Sequence, residues 1–256
     1  MPFLDHLEEL RHRLFWVVGA VGIGLVAGFA VSFGVPQVMD FVTSPITALL
    51  KPQPNGLPGM LVTTTPMGAF KFRMTLALYL AVVLALPVIL YQVWAFLSPG
   101  LYKNERKVMI PVLGAGTLLF MLGVTTAFKL ALPVSLSFLL RIAEQNLQPM
   151  ITIEAYFDLL LTMCLAFGIM FELPMVVLAL TWLGVVTPQL LSRTRPYAVV
   201  ILLVACALVT PPELMSLAIM FIPVYLLYEI SVLLAWVMTR RRERASAAID
   251  DAEAKA

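Results

Sequence analysis

The amino-acid sequence predicts an all-α membrane protein: six transmembrane helices, kinked and arranged as a concave, glove-like bundle, with both termini in the cytoplasm. Three observations predict it. The 256 residues are 61% hydrophobic and 12% charged, with a mean hydropathy of +0.95, whereas an ordinary soluble domain carries about 25% charged residues. Six apolar runs, two of them carrying a single glutamate, are each near the roughly 20 residues that a helix needs to cross about 30 Å of hydrocarbon, and they lack the alternation of barrel strands. Basic residues gather on alternate connections.

The chain reads as a single transmembrane domain over 1–256. Residues 1–13 predict a short cytoplasmic helix with Asp5 as N-cap and Glu8 at capping-box spacing. Leu7, Leu10 and Leu14 line one stripe and Glu9 lies off it. The acidic start and long apolar run do not read as a cleavable signal peptide. The spans are 14–33, 74–97, 108–128, 157–183, 197–210 and 214–238. In the first, Gly24 and Gly28 form a GxxxG pair suited to close helix packing. Pro87, Pro111, Pro133, Pro174 and Pro223 imply kinks.

Segment 34–66 carries six prolines, among them Pro45, and predicts a structured outer cap. Segment 129–156, a second cap element, has apolar residues at helical spacing in LPVSLSFLLRIA and suits the membrane interface. The tail 239–256 reads as a basic stop with affinity for anionic lipid, followed by a disordered end. Good helix in the fifth span covers only about 20 Å, and the sixth is similarly short before Glu229 intervenes. Short spans predict a locally thinned bilayer beside them.

Orientation follows from the 17 basic residues. Arg11, Arg13, Lys103, Arg106, Lys107, Arg193, Arg195, Arg240, Arg241, Arg242, Arg244 and Lys255 fall on one side; Lys51, Lys71, Arg73, Lys129 and Arg141 fall on the other. The richer side is the cytoplasm.

Several function classes find no support. Cys164 and Cys206 lie apart in apolar runs and read as packing residues. No phosphate loop, HExxH or GxSxG is present, and no catalytic residue, metal site, cofactor or nucleic-acid partner is expected. A proton- or cation-coupled small-solute transporter stays open as the alternative, motivated by Glu172 and the broken helices, although no internal repeat supports it. For an intramembrane hydrolase, the sequence offers no nucleophile-base arrangement.

The candidate residues are acids. Glu9 is placed to pair with Arg13 four residues on, and a binding role for it needs a second acid. Glu105, the lone carboxylate in FLSPGLYKNERKV, supplies one on the same side. Glu172 lies inside a span, in CLAFGIMFELPMVV, where an ionisable group costs on the order of 3 kcal/mol on insertion scales and marks a functional site by default. The alternative for it is a carboxyl hydrogen-bonded between helices. Glu213 and Glu229 are weaker cases, since both can reach an interface.

Taken together, HLEELRHRL, FVTSP, FLSPGLYKNER, FGIMFELP, RPYAVV, TPPE and YEI, in this order along almost the whole chain, resemble the TatC family, the polytopic subunits of the twin-arginine protein translocase. The resemblance implies a receptor in the cytoplasmic (inner) membrane of a prokaryote. It would bind twin-arginine signal peptides of folded cargo, assemble as a homo-oligomer with single-span TatA and TatB, and draw on the proton-motive force. It implies that Glu9 and Glu105 hold the signal arginines, with Arg11, Arg13, Phe96, Pro99, Leu101, Tyr102, Lys103 and Arg106 shaping that site. Glu172 would face the groove, Pro45 belong to the outer cap, and Thr210 and Glu213 meet a partner helix. Glu213 departs from the family's usual Asp, and Leu217 from the Gln of some members.

Adjacent arginines of an extended peptide project to opposite sides, so reading both takes one carboxylate from each of two segments. The planar guanidinium fork favours arginine over lysine.

Overall fold

The computed structural model describes residues 3–50, 61–63, 65–97, 109–144, 151–209 and 214–253. These form ten α-helices: α1 (Phe3–Gly34), α2 (Pro36–Thr47), α3 (Gly68–Leu97), α4 (Met109–Thr126), α5 (Leu132–Glu144), α6 (Ile153–Phe171), α7 (Leu173–Trp182), α8 (Pro188–Arg193), α9 (Arg195–Val209) and α10 (Leu214–Glu253). Among the described residues there is no strand, only an isolated bridge between Val62 and Thr152.

Proline placement explains most of the boundaries. No proline interrupts the chain between Pro2 and Pro36, so α1 runs unbroken and absorbs both the short cytoplasmic helix and the first span. Asp5 therefore lies inside α1 instead of capping it. Pro36 opens α2 at its first turn, where a missing N–H costs nothing. Pro133 cannot donate to Lys129, and its ring would crowd that carbonyl. The chain relieves this with one π turn, Ala127–Ala131, in which Leu132 N–H bonds back to Ala127 O. α4 thereby passes into α5 without a break, so the cap element after residue 128 continues the third span.

Pro174 breaks the next span at Glu172, which ends α6 and begins α7. Gly184 closes α7 with φ of +72°, the left-handed turn glycine adopts without strain. The end of the chain differs from its predicted disorder, since α10 stays helical through Glu253.

Five helical stretches are long and apolar enough to cross a membrane: Leu7–Gly34, Gly68–Phe96, Leu113–Ile142, Ile153–Trp182 and Ser216–Arg240; α9 is a shorter apolar helix. Large apolar side chains face outward along them, with Ile23 76% and Leu208 83% exposed. Such a surface suits a hydrocarbon solvent, and the chain is a multi-pass membrane protein.

Small residues let the helices approach. A Cβ at Gly24 would lie 2.7 Å from Ala81 O on α3, and one at Gly28 would collide with Ala77 O, so α1 and α3 meet backbone to backbone. A Cβ at Gly123 of α4 would lie 2.6 Å from Phe167 O on α6. The main core joins Ile46, Phe72, Tyr156, Phe157 and Phe167, and a second cluster joins Val177, Leu202, Val224 and Tyr228 across α7, α9 and α10.

Candidate functional site

Polar groups gather at one end of the bundle, where α1 begins and α3 ends. A cleft of about 830 Å³ there is lined by Glu8, Glu9, His12, Arg13 and Trp16 of α1 with Tyr91 and Gln92 of α3. The helical repeat places positions 9 and 13 one turn apart on α1. Arg13 uses this to donate to Glu9 Oε1 through Nε at 3.1 Å, and also through Nη2. Its Nη1 reaches Gln92 Oε1 at 3.4 Å. Trp16 Nε1 donates to His12 Nε2 at 3.1 Å. The local pairing that spacing predicts for Glu9 is therefore present, and it is tied to α3 as well. Both side chains are partly exposed, at 28% for Glu9 and 21% for Arg13, so a ligand can reach them.

The structure brings Glu9 and Arg13 together but leaves Arg11 elsewhere. Its guanidinium sits 5.6 Å from the Phe15 ring centroid, outside the lining of the cleft. Phe96 is half-buried near the end of α3. Pro99, Leu101, Tyr102, Lys103, Glu105 and Arg106 lie outside the described residues, as do Thr210 and Glu213. Leu7, Leu10 and Leu14 are exposed and belong to none of the core clusters. Sequence reading passed over Gln92, Tyr91, His12 and Trp16. The signal was a lone amide in the apolar run LYQVW, whose position facing α1 depends on packing.

The second polar feature is Glu172. The residue is 9% exposed, and neither carboxylate oxygen has a hydrogen-bond partner among the described residues. A Cβ at Gly116 would lie 3.2 Å from Glu172 Oε2 and equally close to Leu90 Cδ1, so the carboxylate sits where α4 passes α3 at the α6–α7 break. Trp94, Met175 and Ala179 form a small apolar cluster at the same end, closed by Trp182 edge-on to Trp94 at 5.5 Å. Glycine at 116 makes room for the acid. A buried oxygen without a partner costs free energy, and an entering donor would recover it.

Pro45 lies within α2, half-buried. The cap around it is firmly tied. Tyr156 Oη donates to Val42 O at 2.7 Å, and residues 62 and 151–153 exchange backbone bonds of 3.1 and 2.9 Å. No group of three or more His, Cys, Asp or Glu that could hold a metal occurs among the described residues.

Fold and site define a class: a polytopic helical membrane protein with an open acid-bearing cleft at one end and a second acid buried in a broken span. A family model described as Sec-independent protein translocase protein (TatC) matches residues 5–223. The TatCy protein of Bacillus subtilis (strain 168) is 38% identical over 255 residues, covering 98% of this chain and 95% of the relative. TatC of Escherichia coli (strain K12) is 34% identical over 231 residues, covering 90% and 86%. A crystal structure of a twin-arginine translocase receptor TatC superposes with a TM-score of 0.77 at 34% identity, covering 90% of this chain and 99% of the other.

The chain belongs to the TatC family of Sec-independent protein translocase proteins. It is a component of a protein translocase, and the family is not one of catalytic enzymes.

Proposed function

We propose that this chain is the receptor of a twin-arginine translocase, binding twin-arginine signal peptides of folded proteins at the cytoplasmic end of the bundle. The observation that carries the reading is the cleft at Glu9, where an accessible carboxylate already receives a guanidinium from Arg13. Glu9 takes one signal arginine and Glu105, from the following connection, takes the other. Each charge-assisted contact contributes roughly 1.5 to 3 kcal/mol. Arg13 is the resting occupant of Glu9; an incoming arginine displaces it, and Gln92 is its second acceptor.

The apolar part of the signal then follows the bundle inward, and Glu172 serves that deeper insertion. Six spans, counting α9, place both termini in the cytoplasm of a prokaryote. Single-span TatA and TatB subunits and further copies of this chain complete the complex, with Thr210 and Glu213 toward a partner helix, and the proton-motive force drives transport. The test is photocrosslinking of a twin-arginine peptide to the chain in membrane vesicles. Glu9→Arg and Glu105→Arg each reduce the crosslink to background while the protein stays in the membrane. A crosslink that persists in both variants refutes the two-carboxylate reading.

A further inference from the structure

At the end of the bundle where α9 begins, α8, α9 and α10 enclose a second cleft, of about 470 Å³. Its polar part is a guanidinium and a carboxylate side by side: Arg195 Nη2 donates to Glu229 Oε2 at 2.9 Å. Tyr225 Oη donates to Glu229 Oε1 at 2.8 Å and fixes the carboxylate on α10. The pair is not sealed, with Arg195 47% and Glu229 31% exposed. Ser192 stands beside it, and Leu226, Ile230, Leu233 and Trp236 provide the apolar wall.

These apolar residues are themselves exposed, so the cleft opens on the surface that faces hydrocarbon. An ion pair at such a surface is costly unless polar groups solvate it. The length of α9 says which groups do so. Its 15 residues rise about 22 Å, short of the roughly 30 Å of hydrocarbon. α10 passes Glu229 and reaches its interfacial Trp236, whose ring Arg240 overlies at 3.5 Å, two turns later. A bilayer that thins to match α9 brings its headgroup layer down to Arg195, about 10 Å deeper than Trp236.

We propose that this cleft binds the headgroup of an aminophospholipid, phosphatidylethanolamine. Its charges match the pair one for one. The phosphate accepts from Arg195, which has five N–H donors and gives one to Glu229. The primary ammonium donates to Glu229, and the Ser192 hydroxyl reaches a phosphate or ester oxygen. An acyl chain descends along the exposed Leu226 and Ile222. Phosphatidylcholine offers the same phosphate but no N–H for Glu229, and phosphatidylglycerol brings no cation to it. The proposal rests on α8, α9 and α10 alone and is independent of how signal peptides are read.

Native mass spectrometry of the full-length protein in detergent, titrated with each of the three lipids, tests it. Wild type retains one phosphatidylethanolamine with at least about tenfold preference over phosphatidylcholine, the low end of what one added charge-assisted hydrogen bond is worth. Glu229→Gln removes that preference while phosphatidylcholine is still retained. Arg195→Gln lowers retention of all three lipids. Ser192→Trp fills the cleft and abolishes the tightly held lipid without touching the pair, and thermal unfolding in detergent confirms that each variant is folded. Equal retention of the two zwitterionic lipids by wild type overturns the proposal. So does a preference that survives Glu229→Gln, a preference for phosphatidylglycerol, or lipid held undiminished by Ser192→Trp.

Discussion

The two ends of the bundle are built in opposite ways. At the cap end, α2 and the start of α6 interlock: Ile46 and Tyr156 are at most 1% exposed, Tyr156 bonds to the Val42 carbonyl, and Val62 pairs with the backbone around Thr152. Nearby, Ser135 and Ser216 share a buried hydrogen bond of 2.6 Å. At the other end, charged pairs stay partly exposed, Arg13 with Glu9 and Arg195 with Glu229, each beside a cleft. Irregular backbone at the cap must satisfy its own polar groups, which holds the helices in register. Charges at the open end keep unused hydrogen-bonding capacity for a ligand, because a fully paired and buried site would have none left.

Substitutions at each end test this contrast. The largest effect is expected at Gly28→Leu. With Ala77 O already in contact range of a Cβ, α1 must separate from α3, destabilising the fold by about 3 kcal/mol or more. Loss of the monodisperse peak in detergent would show it, and normal behaviour would mean that the contact is not held tightly. Next comes Glu172→Gln, a change that keeps size but alters the group offered to an inserting segment. It reduces export of a folded reporter several-fold while initial peptide crosslinking stays within about twofold. Equal loss at both stages would end the separation of roles between Glu172 and the Glu9 cleft.

Tyr156→Phe removes one buried hydrogen bond between α6 and the Val42 carbonyl of α2, costing about 0.5 to 1.5 kcal/mol. Thermal unfolding falls by several degrees while signal-peptide affinity is unchanged. If affinity fell too, the cap and the cleft would be coupled and the contrast between the ends would weaken. The smallest effect belongs to Arg13→Gln. A partly exposed ion pair of this kind contributes on the order of 1 kcal/mol, so freeing Glu9 tightens binding of a twin-arginine peptide by about fivefold. Weaker binding would instead make Arg13 a positioning residue for the incoming peptide.

Helix identity was set locally, and much of it could be read from the chain alone. Apolar runs determined where helices cross, since hydrocarbon excludes unpaired backbone, and proline placement determined where they bend or break. Gly24 and Gly28 announced a close helix contact, and Glu172 announced a buried acid. Tertiary structure decided which helix Gly24 and Gly28 meet, that Arg13 reaches Gln92 79 residues away, and that Arg195 finds Glu229 34 residues away. It also decided that α4 runs on into α5 through a π turn, a compromise between Pro133 and helical continuity. Periodicity reports which side of a helix is apolar. In a membrane both lipid and protein satisfy an apolar side, so only the packed chain determines which one each face meets.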